Sequence, residues 1–136
     1  MLICCLLVFQ AFANVGEFIE LLENEDYASA LRGFTLLADQ GDAKAQYYLG
    51  LMHERGHGLS EDKQEAVKWC RLAAKQGILK AQYSLGKMYE YGVGVERNEK
   101  NAVKWYQMAA VPGHIEAQTS LAMMHNTGKG TKQDPV

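Results

Sequence analysis

The sequence predicts an all-α fold assembled from repeated antiparallel helix pairs, and three observations carry that prediction. First, the 136-residue chain resembles itself at a shift of 36: AQYYLGLMHERGHG (45–58) aligns with AQYSLGKMYEYGVG (81–94) and AQTSLAMMHNTGKG (117–130). EAVKWCRLAAKQG (65–77) falls on NAVKWYQMAAVPG (101–113), and residues 45–80 share 16 of 36 positions with residues 81–116. Second, apolar residues inside each copy recur in steps of three and four, the spacing of one helix face. Third, Gly-x-Gly recurs at Gly56/Gly58, Gly92/Gly94 and Gly128/Gly130, where glycine supplies the left-handed backbone that ends a helix. A period of this length marks helical units that bury their apolar faces only by stacking.

Taken in order, residues 1–13 (MLICCLLVFQAFA) carry no charge and end in Ala11-Phe12-Ala13, the pattern of a secretory signal peptide cut between Ala13 and Asn14. Export to the periplasm or medium is therefore the expectation; one part of the pattern is missing, since no Lys or Arg precedes the apolar run, and a cytoplasmic chain is the alternative if the segment does not act as a signal. The run is too short to span a bilayer, and no membrane insertion is expected of the mature chain. Cleavage would remove Cys4 and Cys5 and leave Cys70 as a lone thiol, without an internal disulfide.

Residues 14–136 then read as one repeat domain. Residues 14–44 form a helix pair joined by the short turn Asn24-Glu25-Asp26, a cap on the N-terminal end. Two full units follow, 45–80 and 81–116. Each has a first helix near Lys44 to Arg55 with Ala45, Leu49 and Met52 on one stripe, repeated as Ala81, Leu85, Met88. Each has a second helix near Asp62 to Gln76 with Ala66, Trp69 and Ala73 on one face, repeated as Ala102, Trp105, Ala109. Alanines allow close approach, and each tryptophan is expected to fill the space between a pair and its neighbour. The third unit, 117–136, stops at Asp134-Pro135, which read as the N-cap and first position of a second helix. The helix of Leu121 and Met124 should therefore keep part of its apolar stripe bare. A truncated product of a longer array is the favoured reading; the others are a covering partner, self-association through this uncapped helix, or a remnant without function.

The pattern A-x-A-Q-x-x-L-G-x-M, then G-x-G, then A-V-K-W and A-A-x-x-G at period 36 closely resembles the Sel1-like repeat family, relatives of tetratricopeptide repeats. The resemblance covers about residues 27 to 136. It implies a right-handed superhelical solenoid, a role as adaptor or scaffold, and first helices lining the concave surface. Some cysteine-rich relatives are associated with β-lactam binding or weak hydrolysis, which stands as the alternative function; the cysteine pair that staples each of their units is missing here.

His53-Glu54-Arg55-Gly56-His57 matches H-E-x-x-H, in which two histidines one turn apart hold zinc. That chemistry needs both on one uninterrupted helix, and Gly56 breaks it. His53 aligns with Tyr89 and His125, where a partly buried, hydrogen-bonded histidine is expected; His114, after Pro112-Gly113, is expected in solvent. The Gly-x-Gly loops lack the third glycine or the Gly-Lys-Ser/Thr ending of a phosphate cradle, and Cys70, aligned with Tyr106, reads as apolar filler rather than nucleophile. No catalytic residue, metal or cofactor is expected. A net charge of −2 gives no reason to expect nucleic acid as partner.

Positions that differ between units are free for binding. On the first helices they are Lys44, Tyr48, Leu51 and Arg55, then Lys80, Ser84, Lys87 and Tyr91, in steps of four, three and four that keep each set on one stripe. Side by side these stripes form a groove with apolar, aromatic and basic contacts, expected to take a protein or peptide, with an acidic or C-terminal segment the best match to its cations.

Overall fold

In the computed structural model, residues 14–131 are described, and they contain seven helices and no strand. They are α1 (Val15–Glu23), α2 (Tyr27–Asp39), α3 (Ala43–Arg55), α4 (Lys63–Lys75), α5 (Leu79–Tyr91), α6 (Glu99–Ala110) and α7 (Ile115–Thr127). The chain is an all-α repeat solenoid in which each helix packs on its neighbours in sequence. The first thirteen residues, with the expected cleavage site, and Asp134-Pro135 lie outside the described residues.

Side-chain caps set most of the helix starts. Asn14, Asp26, Asp42, Asp62 and Asn98 each accept a hydrogen bond from the backbone N–H three residues on, satisfying one of the donors a helix N-terminus leaves free. Asp62 and Gln76 are thus the caps of α4 rather than members of it. The helices α3, α5 and α7 end on Gly56, Gly92 and Gly128 at φ 69°, 68° and 69°.

The second glycine of each loop has a further reason to be glycine. A β-carbon at Gly94 would lie 2.1 Å from the Lys63 carbonyl oxygen, and one at Gly130 2.4 Å from that of Glu99. Each loop therefore lies flat on the start of the preceding unit's second helix, and only a hydrogen fits between. The loops are also pinned by backbone: Asp62 N donates to His53 O and Asn98 N to Tyr89 O, both at 2.8 Å.

The core sits between units. Ala66, Val67, Cys70, Ala73 and Ala74 of α4 pack with Ala81, Leu85 and Met88 of α5; α2 does the same with Ala45, Leu49 and Met52 of α3, and α6 with Ala117 and Met124 of α7. Trp69, half-buried, packs on the α2/α3 cluster and Trp105 on the α4/α5 cluster, each joining its own unit to the one before. Within a unit the contact is closer still, because Gly50 lies against Cys70 and Gly86 against the Tyr106 ring.

The recurring glutamine of A-x-A-Q serves the same joints. The side-chain amides of Gln46, Gln82 and Gln118 donate to the carbonyls of Ala38, Ala74 and Ala110, eight residues earlier. Each is a second donor to a carbonyl at a helix end, which also accepts the backbone N–H of Gly41, Gly77 or Gly113 three residues on. A buried glutamine is therefore part of the repeat's scaffold rather than of its surface.

Candidate functional site

The first helices of the two full units, α3 and α5, enclose an open cavity of about 610 Å³ with Val93 and the start of α7 at its edge. Of the eight residues expected from sequence, Leu51, Arg55, Lys80, Ser84, Lys87 and Tyr91 line it. Lys44 and Tyr48 do not. The Tyr48 ring stacks on Phe34 at 5.1 Å and 11° and packs against the α2/α3 cluster, so it faces the N-terminal cap; Lys44 is exposed outside the cavity.

The aromatic wall comes from Tyr47 and Tyr83 instead, which the comparison of units passed over because tyrosine recurs at both positions. Burial pushes the Tyr47 hydroxyl above its usual range, opposed by a hydrogen bond with Ser84 across the cavity and by the Arg55 charge. Tyr83 carries the Lys87 ammonium 5.1 Å from its ring centre, a cation–π contact, and the His114 ring stacks on it at 4.9 Å.

His114 is not in solvent as expected. Its side chain is 13% exposed, and Nδ1 accepts the Ala117 N–H at 3.2 Å, capping α7. Position 114 follows Asp42 and Ile78 by the period, and of these Asp42 caps while Ile78 makes no side-chain cap; the capping Asp at 42 was the available signal.

Four cations (Arg55, Lys63, Lys80, Lys87) and two carboxylates (Glu54, Glu116) line the cavity. Lys63 is occupied, donating to the Glu54 carbonyl at 2.8 Å and pairing with Glu61 at 3.0 Å. Arg55, Lys80 and Lys87 form no ion pair among the described residues.

The zinc-like motif is divided by structure as its register implied. His53 lies on α3, the helix ends at Gly56, and His57 stacks on Tyr27 of α2 at 4.4 Å. His53 is half-buried, but its Nδ1 finds no hydrogen-bond partner among the described residues, and His125 is exposed. His53 is thus partly buried as expected but without the expected hydrogen bond at Nδ1, whereas His125 is not partly buried, because among the described residues α7 has no second helix against it. Cys70 is filler: fully buried against Gly50, with its thiol pushed up to about 12 mainly by burial. Among the described residues no three His, Cys, Asp or Glu side chains come together as metal ligands, and no helix is long and apolar enough to cross a membrane.

Comparison with known proteins fits this geometry. The Sel1 repeat model matches residues 43–78, 79–110 and 115–136, units that begin where α3, α5 and α7 begin. The chain belongs to the Sel1 repeat family. Sel1 repeats generally mediate protein–protein contacts and are typically non-catalytic. Among solved structures, a Sel1 repeat protein from Oxalobacter formigenes is 40% identical with a TM-score of 0.76, over 79% of this chain and 43% of that one. The protective antigen c5321 of uropathogenic Escherichia coli, with the same repeat fold, is 30% identical with a TM-score of 0.78, over 90% of this chain and 30% of that one. This Sel1 chain thus spans less than half the length of either. Cysteine-rich protein B of Helicobacter pylori, 18% identical over 81% of this chain and 98% of that one, shares the fold at a TM-score of 0.66. No curated protein matches.

Proposed function

We propose that this Sel1 chain is a non-catalytic interaction module that holds an acidic or C-terminal peptide segment of a protein partner in the cavity between α3 and α5. The observation that carries this reading is the set of cations without an ion pair among the described residues, Arg55, Lys80 and Lys87, in a cavity that Tyr47 and Tyr83 also line, with Lys87 over the Tyr83 ring. Rings at half-burial offer contact area at low entropic cost, and cations at the rim speed and orient an anionic ligand. Export of the mature chain belongs to the same proposal and rests on residues 1–13.

A panel of short acidic, neutral and basic peptides, titrated by fluorescence anisotropy, tests it. Acidic members bind with an affinity that falls as salt rises, and Arg55→Glu with Lys87→Glu weakens them at least about tenfold, or about 1.4 kcal/mol. Equal binding of the basic and acidic members, or no effect of the charge reversal, would refute the reading.

A further inference from the structure

The cavity between α3 and α5 is a trough rather than a pit, and its cations stand toward its two ends. Its α5 wall runs from Lys80, the second residue of that helix, to Tyr91, the last, a rise of about 16 Å. Its α3 wall runs from Tyr47 to Arg55, the last residue of that helix. As equivalent helices of successive units, α3 and α5 run in the same direction, which sets Arg55 level with Tyr91 one period on. Lys80 therefore marks one end. Arg55 marks the other, and Lys87, about two turns beyond Lys80, lies on the Arg55 side of the middle.

Between the ends the lining changes character. The rings of Tyr47 and Tyr83 supply apolar contact there, while each end adds a carboxylate to its cation. Glu54 neighbours Arg55 in sequence, and Glu116 occupies the Lys80 position one period on; neither forms an ion pair with Arg55, Lys80 or Lys87 among the described residues. An unbroken acidic run laid along the trough would set charge against Glu54 and Glu116 and would cover the tyrosines with carboxylates that need water. Two single carboxylates, one at each cation-bearing end, with an apolar side chain between them, match every part of the lining.

Backbone geometry then sets the spacing. In an extended segment residues i, i+2 and i+4 share one face, and i to i+4 spans about 13 Å. Along the helix axis Lys87 lies about 10 Å from Lys80, and the level of Arg55 about 16 Å. An extended i, i+4 pair thus reaches from one end to the other with i+2 over the rings. Residues four apart on a helix are separated by only about 6 Å along its axis, too little to reach both ends. We infer that the cavity selects an extended segment with acidic residues at i and i+4 and an apolar or aromatic residue at i+2. This rests on the reading of the cavity as a site for an acidic segment, and adds the order in which the side chains of that segment must come.

The test uses the full chain and four dye-labelled peptides of one composition, each with two Glu and one Phe among Ser and Gly, and with both termini blocked so that only side chains carry charge. One has Glu at i and i+4 with Phe at i+2; the second moves Phe outside the pair; the third sets the two Glu side by side; the fourth sets them seven apart, the spacing a helical ligand would need. The first binds at least about tenfold more tightly than each of the others. Lys80→Ala and Arg55→Ala each weaken it at least about threefold, and the effect of each disappears when a different one of the two Glu is replaced by Gln. Thermal melts show that both variants are folded. Equal binding of the four, with Arg55→Glu plus Lys87→Glu still weakening them all, overturns the spacing and leaves the acidic-segment reading standing. Tightest binding of the fourth makes the ligand a helix, and loss of both variants' effects with the same Glu makes the site a single anion pocket; either overturns the inference. Binding of none of the four, or binding that the charge reversal does not weaken, overturns the inference and the reading beneath it.

Discussion

Glu25 is the one residue other than glycine with positive φ among those described, at 61° in the turn between α1 and α2. A left-handed backbone costs an L-residue about 1 kcal/mol, and no side-chain contact compensates the exposed Glu25. Glu25→Gly should therefore raise the melting temperature slightly, by up to about 0.5 kcal/mol in stability after glycine's larger unfolded-state entropy is subtracted. Cys70 acts in the opposite sense. Its thiol ionises near 9.0 when free but near 12 when buried, so the folded state favours the protonated form. That stability is fully present below pH 9.0 and is lost as pH rises toward 12, while the unfolded chain sheds its proton. Urea melts at pH 8 and pH 10.5 should show a drop that Cys70→Ala reduces. Alkylation at pH 8 should proceed only after denaturation.

Helices are legible in the sequence because their signals are local and repeated: the apolar stripes and the glycine ends; the capping roles of Asp42, Asp62 and Asn98 come from the structure. The face a tyrosine takes was less so. Tyr47 and Tyr48 are adjacent, about 100° apart around the helix; one lines the cavity and the other stacks on Phe34. Treating residues that differ between units as free kept Tyr48 and lost Tyr47, since a residue can recur for packing and still face open space. His114 was misplaced for a related reason: its loop was legible, but its capping bond to Ala117 and its stack on Tyr83 depend on geometry that no periodicity reports.

Two substitutions test the element-scale account. Gly86→Ala gains up to about 1 kcal/mol of helix propensity but drives a methyl into the Tyr106 ring, which is buried and held by its hydroxyl donating to Glu90 at 2.7 Å. Overpacking at a fixed ring costs about 1–3 kcal/mol, so the variant should melt lower despite the better helix former. Gln82→Leu removes one of the donors to the buried Ala74 carbonyl, which keeps the Gly77 N–H, and should cost about 0.5–1.5 kcal/mol. At exposed position 118, Gln118→Leu should cost well under half as much, because water replaces the lost donor. Equal losses at the two sites would contradict the role assigned to the glutamines.

At the scale of the whole molecule, the solenoid's cores bind the second helix of one unit to the first helix of the next. That arrangement leaves the opposite side of α3 and α5 free of structural duty, and the unpaired cations gather there. The period and the family were readable from sequence because spacing and residue type agree in successive units. Which side chains meet across the cavity depends on how far neighbouring units rotate, a quantity no single unit encodes.

The central claim is that this cavity is where a partner segment binds, and amide chemical-shift mapping tests it most directly. Titration of the 15N-labelled chain with an acidic peptide should shift Leu51, Arg55, Ser84, Lys87 and Tyr91, with Tyr47 and Tyr83 among them, and leave α1 and the exposed faces of α4 and α6 unmoved. Shifts confined to those other surfaces, while the cavity residues stay fixed at saturation, would contradict it.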